Sequence, residues 1–162
     1  MSLTPSEIKI GLGQILRLSY VPRWVIVPMM RQQSVAEHSW RVAVIAMELS
    51  GKLGWNYDEQ CELATKATLH DWEEALTGDT PSTEKPYPSF RGMSKDELVL
   101  KIADYLEALT WIKLWAHPAV QSGVQGFLWP RYKDAIGALE SKIGKNVESI
   151  AESIRAQIVK GE

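Results

Sequence analysis

In the stretch "ATLHDWEEALTGD", residues 67–79, His70 and Asp71 stand side by side, with Glu73, Glu74 and Asp79 close behind. Carboxylates crowded in this way repel one another and resist burial unless a cation or strong hydrogen-bond donors compensate them. A divalent metal ion is the natural compensator, and His38 and Asp104 offer two more ligand-type side chains on other segments. Two imidazoles and two carboxylates suit a hard or borderline dication with water completing its shell: Mn2+, Co2+, Mg2+ or Zn2+, in no order the sequence sets. A lone helical histidine is most often structural, so the ordered set His38, His70, Asp71, Asp104 carries the metal reading. His117, before Pro118, lies outside that order and reads as a surface or structural residue. Glu73 points about 100° away from Glu74 on a helix and is left off the site.

The elements that must position these residues read as helices. Thr4-Pro5-Ser6-Glu7 offers an N-cap, a proline at the first helical position and a capping-box glutamate, predicting a helix to about Ser19. "YVPRWVIVPMM" is broken by Pro22 and Pro28 and reads as an ordered connector. Ser34 and Glu37 repeat the capping box and open a second helix ending at Ser50-Gly51, and Asp58 is the expected cap of a third, ending near His70-Asp71. "WEEAL" continues as a short helical turn. Residues 78–93 are rich in Pro, Ser, Thr and Gly, a loop long enough to act as a lid. Ser94 and Glu97 cap a helix that runs to about Trp115 with Asp104 inside it. Gly123, Gly126 and Pro130 mark a non-helical passage, after which one or two terminal helices are expected from about Arg131 to Val159, with Gly144 a possible break. About six helices with short connections predict an all-α fold, one compact domain over residues 1–162.

Composition narrows the partners. A net charge of −2 gives no reason to expect a surface for a long nucleic acid, whereas a small phosphorylated ligand in a local basic pocket fits. The single Cys61 excludes an intramolecular disulfide and reads as a buried, inert thiol in a reducing compartment. No apolar run approaches the roughly 20 residues that cross a bilayer, and the N-terminus lacks a leader pattern, so no membrane association and a cytoplasmic location are expected. Trp40, Trp55, Trp111, Trp115 and Trp129 read as core or subunit packing.

Taken in order, "RW" at 23–24, "SVAEHS" at 34–39, "HDWEEALTGDTP" at 70–81 and "KIADYLEA" at 101–108 resemble the motifs of the HD phosphohydrolase superfamily, and of its small 5′-deoxynucleotidase branch in particular. The resemblance covers the first two thirds of the chain, and from about Leu114 onward nothing matches. It implies a helical bundle with His38, His70, Asp71 and Asp104 as metal ligands, and Glu74 and Asp79 as catalytic groups beside the metal. The implied chemistry is divalent-metal-dependent hydrolysis of a deoxyribonucleotide, a metal-activated water attacking the α-phosphorus to release a deoxynucleoside and phosphate. Glu74 would orient or deprotonate that water, or protonate the departing O5′. Arg23 and Lys85 match phosphate-contacting positions, and Arg31, which flanks a motif, is a third candidate. Trp24 corresponds to the bulky residue that packs on the sugar and excludes a 2′-hydroxyl, with Ile26 lining the base pocket. Trp72 stands where the family often has a smaller residue. A related phage group releases triphosphate from dATP, which makes a dATP triphosphohydrolase the alternative; a noncatalytic nucleotide-binding module is the alternative of another class. Proteins of this branch commonly associate, so a homo-oligomer is also implied.

Overall fold

The computed structural model describes residues 11–81 and 85–161. In chain order the helices are α1 (Leu12–Ile15), α2 (Val35–Lys52), α3 (Tyr57–Thr68), α4 (Glu74–Thr77), α5 (Lys95–Trp115), α6 (Pro118–Ile143) and α7 (Val147–Gly161), with 3-10 turns at Leu16–Ser19 and Phe90–Gly92. Among the described residues there is no strand, only two isolated bridges, so the all-α expectation holds.

The bundle is organised around α5. Ser94 accepts from the Glu97 backbone N–H while the Glu97 carboxylate accepts from the Ser94 N–H, which satisfies the helix's first orphan donors. Beyond this cap the helix is apolar on nearly every side, and twelve of its residues, from Leu98 to Ile112, are buried. A helix of that character must be surrounded. α2 and α6 cover most of it, with α3 and α7 closing the remainder. Each fully buried Leu or Ile along these contacts, such as Leu49, Ile102, Leu106 or Ile136, contributes about 1.5–3 kcal/mol of transfer free energy.

Three expectations are corrected. α3 is capped by Asn56, in a reciprocal box with Glu59, and not by Asp58, which falls inside the helix. α6 begins at Pro118, with the His117 ring nitrogen accepting from the Ala119 N–H, and it runs through Gly123, Gly126 and Pro130 to a left-handed Gly144. Local breakers lose here because Leu128, Tyr132, Ala135, Ile136 and Leu139 bury one continuous face. Cys61 is only half-buried. The cap expected at residues 4–7 lies outside the described residues.

The connector between residue 20 and α2 has no regular structure, yet its backbone is tied at both ends. Val35 N–H donates to Val21 O and Arg23 N–H to Gln33 O, at 2.9 and 2.8 Å. Its far side docks on the end of α5 through Met30 N–H to Trp115 O (2.7 Å) and His117 N–H to Pro28 O (2.9 Å). Paired backbone groups of this kind let an irregular segment pack on the core. The segment thereby holds Arg23 between Asp79 and Glu107 of α5, with the Trp24 backbone tied to Asp79.

Candidate active site

His38 sits in the second turn of α2, whose N-cap Ser34 accepts from the Glu37 N–H at 3.1 Å. His70 and Asp71 follow the end of α3, Glu74 opens α4, and Asp104 and Glu107 share one face of α5 at a spacing of three residues. These elements bring all four expected ligands together. His38 Nε2 lies 3.2 Å from Asp104 Oδ1 and 3.5 Å from Asp71 Oδ2, and His70 Nε2 lies 3.2 Å from Asp71 Oδ2 and 3.9 Å from Asp104 Oδ1.

Hydrogen bonds behind the rings fix which nitrogen faces the cluster. His70 Nδ1 is 2.5 Å from Ala67 O, a carbonyl that can only accept, so Nδ1 carries the proton and Nε2 presents a lone pair. His38 Nδ1 is 2.6 Å from Glu107 Oε2, and its Nε2 likewise has no hydrogen-bond partner, as is true of His70 Nε2. Lone pairs on two buried imidazoles therefore face two carboxylates, an arrangement that requires a proton or a cation between them. Ligands of one first-row dication stand about 2.0–2.2 Å from it, which separates neighbouring donor atoms by roughly 3–3.5 Å, the spacing of three of the four contacts here; His38, His70 and Asp104 have donor atoms all within 4.8 Å of one another, and Asp71 reaches both imidazoles from one side. The residues present fit a divalent ion.

The electrostatics express the same demand. Burial and the Arg23 charge oppose a second proton on His38, but Glu107, Asp104 and Asp71 outweigh them and lift its pKa to about 10 in the ion's absence. Burial pushes the Asp104 carboxyl up, yet His38 and Lys101 hold it well below the usual carboxylate range; His38 and His70 do the same for Asp71 against its burial. Glu74 behaves oppositely. Burial, then Asp71 and Asp79, push it up to about 7 against the pull of Lys85 and Arg23. Its Oε1 is 3.6 Å from Lys85 Nζ while its buried Oε2 has no hydrogen-bond partner. A carboxyl group titrating near neutrality beside a metal cluster is suited to moving a proton.

Glu107 was not among the residues singled out in the sequence. Fully buried, it accepts from His38 Nδ1, Gln33 Nε2 (2.7 Å) and Arg41 Nε (3.0 Å), with Arg23 Nη1 at 3.5 Å. Asp79, expected beside the metal, instead receives the Trp24 N–H at 3.1 Å and faces Arg23 Nε at 3.7 Å, so it positions the connector. Trp24 has φ 61°, a left-handed backbone that costs a bulky residue about 1–3 kcal/mol. Its indole N–H donates to Gln33 Oε1 at 3.1 Å. The strain is held from both sides.

Two cavities meet at this point, sharing Arg23 and Leu128 as a common wall. The first, about 310 Å³, is apolar and lined by Trp24, Ile26, Pro81, Val124 and Phe127 among others. The second, about 360 Å³, contains Asp71, Asp104 and Lys85. Arg31 lines neither. Its guanidinium pairs with Glu37 at 2.8 Å and lies over Trp111 and Trp115, so the structure does not bring this expected phosphate ligand to the site. Glu73 is exposed, as its helical phase requires.

A family model described as HD domain matches residues 15–159. A dATP triphosphohydrolase of Salmonella phage PMBT28 is 33% identical, the match covering 69% of this chain and 67% of that protein. The 5′-deoxynucleotidase YfbR of Escherichia coli is 36% identical over 48% of this chain, and the match spans 40% of that enzyme. Among solved structures, the cyanophage S-2L HD phosphohydrolase (DatZ), bound to dA and one catalytic Zn2+ ion, shares the fold with a TM-score of 0.79 at 22% identity, covering 94% of this chain and 98% of that one.

Proposed function

The chain belongs to the HD-domain family, and from that premise we propose that it hydrolyses deoxynucleotides between the α-phosphorus and O5′, releasing a deoxynucleoside. The observation that carries this reading is the pair of unpartnered Nε2 atoms facing Asp71 and Asp104, with the free Glu74 oxygen beside them. A divalent ion held by His38, His70, Asp71 and Asp104 supplies acidification of a water and neutralisation of phosphoryl charge. Glu74 takes the proton from the attacking water as the new P–O bond forms. The P–O5′ bond breaks with its electron pair on O5′, and Glu74 returns the proton there. Arg23 and Lys85 hold the phosphoryl oxygens. Trp24, clamped by Asp79 and Gln33, stands where a 2′-hydroxyl would project, and the apolar cavity with Ile26 receives the base.

Two leaving groups suit this chemistry: orthophosphate from a deoxynucleoside monophosphate, and triphosphate from dATP. The similarity to the phage dATP triphosphohydrolase and the cationic second cavity favour the latter. The test is protein stripped by chelation, reloaded separately with Mn2+, Co2+, Mg2+ and Zn2+, and given each dNMP, dNTP and ribonucleotide with products resolved. Metal-restored release of a deoxynucleoside is expected. Turnover that survives His70→Ala or Asp71→Ala would overturn the reading, and silence across the panel would leave a nucleotide-binding module. Trp24→Ala is expected to lower the preference for deoxy- over ribonucleotides by about tenfold or more in kcat/KM. We also read the chain as acting in the host cytoplasm as a homo-oligomer; Trp40 and Val44, exposed one turn apart on α2, support self-association. No helix among the described residues is long and apolar enough to cross a membrane.

A further inference from the structure

The second cavity carries more positive charge than cleavage at one phosphorus requires. Arg23, Lys85, Lys101 and Arg131 line it against two carboxylates, Asp71 and Asp104, both of which are candidate metal ligands. Three of the four cations already have acidic partners: Arg23 has Asp79 and Glu107, Lys85 has Glu74, and Lys101 has Asp104 at 3.5 Å. Arg131 has none among the described residues. One of its five N–H donors is used, Nη1 donating to Phe127 O at 3.0 Å. The guanidinium is stacked, 3.8 Å from the Phe127 ring centroid and 4.5 Å from that of Tyr87. Tyr87 is in turn fixed by a short hydrogen bond from its hydroxyl to Asp134, so α6 and the segment leading to α5 hold the arginine from two sides. A stacked guanidinium with most of its donors uncommitted, facing a cavity that ends at metal ligands, is arranged to receive a multiply charged oxyanion.

The placement relative to the other cavity gives the anion its length. A nucleoside in the apolar cavity meets the cationic one at Arg23, next to the metal cluster, where the α-phosphate belongs. A monophosphate, with a charge of about −2, is matched there by the ion, Arg23 and Lys85. Arg131, on α6, would then meet no phosphate. We infer that Arg131, carried on α6, is the residue that sets phosphate-chain length: it receives the distal phosphates of a deoxynucleoside triphosphate, with Lys101 alongside. This rests on the deoxynucleotide reading above, and adds to it a determinant outside the stretches that bear the motifs.

The test separates the two. In Glu74→Gln protein loaded with Mn2+, which binds without turning over, calorimetric titration measures the affinities for dATP and dAMP. Adding Arg131→Ala is expected to weaken dATP by about tenfold or more while dAMP changes less than about twofold, and Arg131→Lys should recover part of the loss. Equal losses for both ligands, or no loss for dATP, overturn the inference and leave the hydrolase reading standing. Absence of binding by either ligand before Arg131 is changed overturns both. Should Arg131→Ala fail to fold, Arg131→Gln keeps a planar group on Phe127 and Tyr87, and the same dATP-to-dAMP ratio decides.

Discussion

Glu107 gathers donors from two segments: Gln33 and Arg23 from the connector, His38 and Arg41 from α2. Its carboxylate orients the His38 ring and raises its basicity, the service a partner behind a metal ligand performs. Glu107→Gln keeps an acceptor for His38 but removes the charge facing Arg23 and Arg41. Metal affinity should fall about 10–100-fold, read by metal titration, with a lowered melting temperature. Glu74 yields a prediction of opposite sign. Its folded pKa is raised from 4.5 to about 7, so its ionisation opposes folding of the metal-free protein increasingly as pH rises from about 4.5 to 7, and constantly above. Glu74→Gln should therefore stabilise the metal-free protein at pH 8, by on the order of 1–3 kcal/mol, with the gain vanishing below about pH 4.5. Denaturant titrations at the two pH values decide it. The candidate ligands and Glu74, which the fold brings together, could be picked out in the sequence because metal chemistry restricts residue types. Glu107 was legible in principle, three residues after Asp104 on the same helical face. What Asp79 and Arg31 do was not, since a carboxylate's or guanidinium's partner is fixed by folding and not by its neighbours in sequence.

At the scale of elements, the sequence was most informative where side chains cap backbone. Ser34 and Ser94 marked the starts of α2 and α5 to the residue. It failed at α6, where Gly123, Gly126 and Pro130 oppose helix locally and only the buried face against α5 reverses the balance. That failure matters, because α6 supplies a wall of both cavities and the arginine proposed to gauge the substrate. It also leaves slack to be recovered. Gly137 is an exposed interior residue of α6, and a Cβ added there meets nothing within 4 Å. Gly137→Ala should stabilise the protein by about 0.5–1 kcal/mol in urea unfolding with turnover unchanged. A loss of stability would mean that α6 is not a continuous helix at this point.

For the whole molecule, the candidate ligands bring α2, the α3–α4 turn and α5 to one point, so an ion bound there would link occupancy to folding. An ion at about 100 times its dissociation constant adds about 2.7 kcal/mol to the folded state, a rise of roughly 5–10 °C in melting temperature for a chain this size. Chelator should reverse the rise and His70→Ala should abolish it; a wild-type melting curve indifferent to Mn2+ and Zn2+ would count against the cluster as a metal site. The connector has a different standing. It leaves and rejoins the helical body at almost one place, where Pro22 bridges Ser34, and it contributes Arg23, Trp24 and Ile26 but none of the four ligands. A segment whose two ends coincide can be lengthened, shortened or exchanged at little entropic cost. On the reading proposed above, the residues offered to the sugar and to one side of the base therefore ride on a loop closed at its neck, separate from the helices that carry the four candidate ligands.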